Sequence, residues 1–115
     1  MTLPCVLAAA ALVAVVAGSE YDTRRRKNND VLAEVDAPEE VAAVVAALRV
    51  GNLDAQAALM TPGHPTLAFF DASGDYLTHV ALLGGWLRWE GWPSDAPLVD
   101  AAALSAWLTA HGCDG

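Results

Sequence analysis

TLAFFDASGDYLTHVALL, residues 66–83, is two apolar runs around a short polar centre. The first run, TLAFFD (66–71), is apolar at successive positions, as a strand covered on both faces requires. Ala72-Ser73-Gly74-Asp75 has the composition of a hairpin connection, and YLTHVALL (76–83) reads as the returning strand. Gly84-Gly85 then breaks or bulges the chain. Beyond it WLRWE (86–90) is expected as a third short strand and GWPSDAP (91–97) as loop. An antiparallel sheet is the nucleus of the fold.

On the N-terminal side of this nucleus, TPGHP (61–65) holds two prolines and a glycine and reads as a turn. NLDAQAALM (52–60) fits a short helix of poor amphipathicity. DVLAEVDA (30–37) is expected as a strand through Val31, Leu32 and Val35. Asp36 stands three residues before Glu39, the spacing of a capping box, and Pro38 suits a first helical turn. Val41, Val44, Val45 and Leu48 then recur at helical spacing, which predicts an amphipathic helix over 38–49, stopped at Gly51-Asn52. At the other end Asp100 caps a last helix whose inner side carries Leu104, Trp107, Leu108 and His111, with Gly112 as its stop. The order β-α-(α)-β-β-β-α defines a single small α+β domain, a mainly antiparallel sheet with helices packed on it.

The first thirty residues are of another kind. Leu3 to Gly18 is uncharged and apolar, which predicts an apolar helix ahead of the domain. A basic cluster, Arg24, Arg25, Arg26 and Lys27, lies in the polar linker 19–30. Bases behind an apolar run resist translocation, so residues 3–18 are expected to anchor the chain in a membrane by a single pass, the domain 31–115 facing the cytoplasm. Sixteen residues reach only about 24 Å against the ~30 Å of a hydrocarbon core, so Met1 to Ser19 and snorkelling arginines have to contribute. The alternative is a signal segment cleaved near Val15-Val16-Ala17, leaving the domain secreted or in the envelope; a third is a buried core helix.

Charge narrows the partners. Residues 31–115 hold eleven acids and, as bases, only Arg49 and Arg88. Such a surface repels phosphate backbones, which argues against nucleic-acid binding and favours, weakly, a basic protein partner. Cys5 and Cys113 form neither a disulfide framework nor a CxxC pair. His64, His79 and His111 have no ligand spacing, and no metal or cofactor is expected. No nucleophile elbow, phosphate loop or dinucleotide fingerprint occurs, so no catalytic residue is assigned and no enzyme is expected.

The binding candidates are Trp86, Arg88, Trp89 and Trp92 in LLGGWLRWEGW (82–92). In a strand Trp86, Arg88 and Glu90 share one face and Leu87 and Trp89 the other. In the structural reading Leu87 and Trp89 enter the core and Arg88 pairs with Glu90 or with an acid from a neighbouring strand; in the functional one, tryptophan and arginine form a recognition surface of the type that dominates interfaces.

Two resemblances bear on this reading. HPTLAFFDASGDYL (64–77) is similar to the distal half of the thioredoxin fold, where a cis-proline opens a strand, a glycine-bearing hairpin, a second strand and a last helix. VLAEVDAPEEVAAVVAAL would supply the βα unit before it, and Pro65 takes the place of the cis-proline. The redox cysteine pair of that family is absent, so the resemblance implies the fold without the activity. LRWEGWPSDAPLVDAAALSAWL (87–108) resembles the ending of small uncharacterised bacterial proteins, with Arg88, Trp89, Trp92, Asp95, Ala96, Leu98, Trp107 and Leu108 at the matching places. Cysteines and a histidine pair found there are replaced here by LMTPG and LLGG, and no established activity is implied.

The sequence thus points to a non-enzymatic, membrane-tethered interaction module. Its rivals are an acidic immunity-type or inhibitor protein for a basic partner, and a non-redox thioredoxin-like envelope domain.

Overall fold

The computed structural model describes residues 3–17, 31–51, 65–83, 85–89, 91–92 and 95–112. Six strands make one sheet in the order β2-β1-β3-β4-β5-β6: β1 is Leu12–Val16, β2 Val31–Val35, β3 Thr66–Phe70, β4 Tyr76–Leu83, β5 Trp86–Arg88 and β6 Ala96–Pro97. Each neighbouring pair is antiparallel. Three helices accompany them, α1 (Leu3–Leu7), α2 (Pro38–Ala47) and α3 (Ala101–Ala110). The fold is α+β.

The β3–β4 hairpin sits where its apolar runs place it. All five residues of β3 are buried. The turn is fastened by Asp71, whose Oδ1 accepts from the amides of Ser73 at 2.9 Å and Asp75 at 3.0 Å. Gly74 adopts φ 86°, a conformation an L side chain resists. Strand alternation then sorts the core. Val13, Val15, Leu67, Phe69, Val80, Leu82 and Leu87 form one cluster with the inner residues of the helices. Ala14, Val16, Ala68 and Phe70 form a second cluster on the opposite face, flanked by Leu12 and Tyr76.

The N-terminal apolar stretch differs from the single helix expected over 3–18. The helix ends at Leu7, and Ala11 N–H donates to Phe70 O at 2.8 Å, passing the chain to the sheet. LVAVV then forms β1 between β2 and β3, with Val13, Val15 and Val16 fully buried. A short apolar run has no periodicity that separates a covered strand from a helix, and valine favours the strand. Among the described residues no helix is long and apolar enough to cross a membrane.

Smaller departures have local causes. α2 begins with Ala37, not Asp36, at its N-cap and has no side-chain cap, so the expected capping box does not form. Glu39 and Glu40 still occupy the first turn, where the helix dipole favours acids. Ala96–Pro97, expected as loop, pairs with Trp86 and Leu87 as an edge strand, where proline's missing N–H costs no ladder bond. β5 ends at Arg88 rather than at residue 90. Asp100 caps α3 as expected, its Oδ1 accepting from Ala103 N–H at 3.0 Å, and Gly112 takes φ 78° just past the helix. The short helix expected over 52–60, residues 61–64 of the TPGHP turn and the basic linker lie outside the described residues.

Candidate functional site

β5 divides the tryptophan–arginine stretch between two faces. Leu87 and Trp89 join the helix-side core, whereas Trp86 and Arg88 lie opposite Leu83 and Ala81 of β4 on the other face. Trp89 is a core residue: it is 9% exposed, and its indole Nε1 donates to Thr78 Oγ1 at 2.8 Å. A hydroxyl partner is what lets the indole N–H be buried without loss. Trp92 follows a tight turn, its N–H on Trp89 O at 3.0 Å, and meets Trp89 edge-on with centroids 5.6 Å apart. Trp92 is half-buried and belongs to the helix side. The four candidates therefore do not form one continuous platform.

Arg88 is held by Asp95. Its Nε donates to Oδ1 at 2.9 Å and its Nη2 to Oδ2 at 3.2 Å, a two-point contact. Asp95 is 5% exposed, while 37% of the Arg88 side chain faces solvent. Hydrogen bonding to Asp95 raises the Arg88 pKa above its ordinary value; burial opposes this, and the carboxylate's charge adds to it. Arg88 is charged, oriented and neutralised locally. Trp86 stands half-buried two residues away on the same face, about 7 Å along the strand.

The histidines serve other contacts. His79 Nδ1 hydrogen-bonds the Tyr76 hydroxyl. His111 donates from Nδ1 to Trp107 O at 2.8 Å, stacks on the Trp107 ring at 4.2 Å and holds Nε2 3.6 Å from Glu40 Oε2. Trp107 Nε1 in turn donates to Glu40 O at 3.0 Å, so this group locks α3 to the start of α2. Cys5 is exposed on α1, and His64, Glu90 and Cys113 lie outside the described residues. Among the described residues no three His, Cys, Asp or Glu side chains converge as metal ligands would.

One feature escaped the sequence. Trp92 and Arg49 help line an apolar hollow of about 250 Å³ between α1 and the end of α2. Arg49 is legible in the sequence as one of two bases in 31–115, but its neighbours come from chain segments far apart.

No known protein family, characterised protein or solved structure matches the chain.

Proposed function

We propose that the protein is a recognition module that binds a protein partner through the sheet face bearing Trp86 and Arg88, without catalysing a reaction. The observation that carries this reading is the Arg88–Asp95 pair: a buried carboxylate fixes a partly exposed guanidinium beside a half-buried indole. Preorganised aromatic and arginine groups lose little entropy on binding and are the usual centres of binding energy. Because Asp95 offsets the Arg88 charge, shape and hydrogen bonding would select the partner more than long-range attraction. Capture of a partner by the full chain, compared with Trp86→Ala and with the paired Arg88→Met/Asp95→Leu variant, tests it. Loss of capture with an unchanged circular dichroism spectrum and melting point supports the reading; undiminished capture rejects it.

The acidity of residues 31–115 favours a second reading, an immunity-type or inhibitor protein that neutralises a basic partner. Its binding would weaken steeply with salt, and salt-insensitive association counts against it. A non-redox thioredoxin-like role is a third proposal, supported by the β3–β4 hairpin and the terminal helix α3, with β5 and β6 inserted between them; a trans bond before Pro65, read from proline carbon shifts by NMR, rejects it.

The membrane tether through residues 3–18, with the domain in the cytoplasm, is a separate proposal. It requires Leu12–Val16 to leave its place between β2 and β3, separating those strands. Its support is the basic cluster behind the apolar run. A topology reporter at the C-terminus together with membrane fractionation decides it.

A further inference from the structure

The hollow beside Trp92 is built from three separate parts of the chain. Leu3 and Leu7 of α1 form one wall, Leu48 and Val50 beyond α2 another, and the Trp92 indole a third. Its lining is overwhelmingly apolar, and among the described residues Arg49 is its one charged lining residue. Leu7, Ala8 and Val45 also line a second apolar hollow of about 480 Å³ that extends along α2 to Asp36. Apolar concavity with a single polar group is the ordinary form of a small-molecule site.

Arg49 makes the case specific. Its side chain is exposed and, among the described residues, has no hydrogen bond or ion pair, although eleven acids occupy residues 31–115. Its backbone is nevertheless fixed: Arg49 O accepts from Val99 N–H at 2.9 Å, Val50 bridges Leu98, and Gly51 N–H donates to Pro97 O at 2.8 Å. Trp92 is fixed as well, edge-on against the buried Trp89. A rigid apolar hollow bordered by a guanidinium that has no ion pair among the described residues matches an apolar molecule carrying one negative charge. A guanidinium's planar fork suits a carboxylate in particular. A cationic ligand would meet Arg49, and a polyanion would be opposed by the net negative charge of residues 31–115.

We infer that this hollow is a binding site for a small apolar monocarboxylate, its carboxylate on Arg49 and its hydrocarbon body between α1, α2 and Trp92. Its volume is about 250 Å³. At roughly 30 Å³ per water-sized group it accommodates about eight carbon-sized groups, the length of a medium-chain acid. The site lies on the helix side of the sheet and does not depend on the Trp86–Arg88 face, so either can fail alone.

Titration calorimetry of the full chain with octanoate, and with octan-1-ol as its uncharged counterpart, tests the inference. One-to-one saturable octanoate binding is expected, weakened about tenfold by Arg49→Gln, as losing one charge-assisted pair entails. Octanol is expected to bind more weakly than octanoate, and equally to both proteins. Val45→Trp, which fills the hollow, is expected to remove binding of both ligands. Arg49→Gln changes an exposed side chain that has no partner among the described residues, and is expected to leave the melting point unchanged. Absence of saturable octanoate binding in the millimolar range, equal octanoate affinity in Arg49→Gln, or octanol binding as tight as octanoate overturns the inference.

Discussion

Trp89 and Thr78 are joined inside the core: the indole Nε1 of one donates to the Oγ1 of the other at 2.8 Å, and both residues are at least nine-tenths covered. The bond explains how a tryptophan from the candidate stretch can be buried. Thr78→Val keeps the shape and removes the acceptor, which should cost about 1–3 kcal/mol by leaving a buried N–H unpaired. Thr78→Ser should cost less. Urea unfolding of the two variants checks the order, and a reversed order sinks the explanation.

Gly91 has a related duty. A Cβ there would meet the Trp89 ring at 2.6 Å, too close for any real contact. Gly91→Ala should therefore lose about 1–3 kcal/mol through displacement of the indole and weaken the near-ultraviolet dichroism of the tryptophans. In the Trp89→Leu background the same change should be nearly neutral, a non-additivity that a double-mutant cycle reads directly.

Val15 and Val31 give opposite expectations within one sheet. Val15 is fully buried in β1, while Val31 is 45% exposed on the edge strand β2. Val15→Asp should abolish cooperative unfolding or cost at least about 3 kcal/mol, because a charge would be buried without a partner. Val31→Asp should stay within about 0.5 kcal/mol. A Val15→Asp protein that melts like the parent would remove β1 from the sheet.

Arg88→Met should strand the buried Asp95 and cost about 3 kcal/mol, less if solvent reaches the carboxylate; adding Asp95→Leu should recover much of that loss. The pH dependence has a definite sign. Arg88 has its pKa raised by folding, so its contribution is complete below the ordinary arginine value and is lost only as pH rises through the higher folded one. The stability difference between parent and Arg88→Met should therefore carry no arginine titration between about pH 6 and pH 9. Denaturant titrations at several pH values measure it.

Asp100→Ala removes the side-chain cap of α3 and should cost about 1 kcal/mol. Amide exchange should accelerate first at Ala103, whose N–H the carboxylate holds.

Much of the architecture was legible because its signals are local. The β3–β4 hairpin follows from two apolar runs around Asp71 and Gly74, and α3 from its inner residues Leu104, Trp107 and Leu108, each requiring only the spacing of neighbours along the chain. The site was only half legible. Alternation along β5 separated Trp86 and Arg88 from Leu87 and Trp89, but it contained nothing about Asp95 as the partner of Arg88 or Thr78 as that of Trp89.

By itself, then, the order of residues determined the α+β class, the antiparallel hairpin, the bounds of the last helix to within a residue or two and the acidic character of 31–115. Tertiary structure alone decided that LVAVV is a strand between β2 and β3, that Ala96–Pro97 closes the far edge, and that Arg49 and Trp92 line one hollow. The reason is physical. Periodicity and turn chemistry act over a few residues, whereas an apolar run covered on every side has no periodicity to read, and the partner of a charge or an indole is chosen by the packing of distant segments.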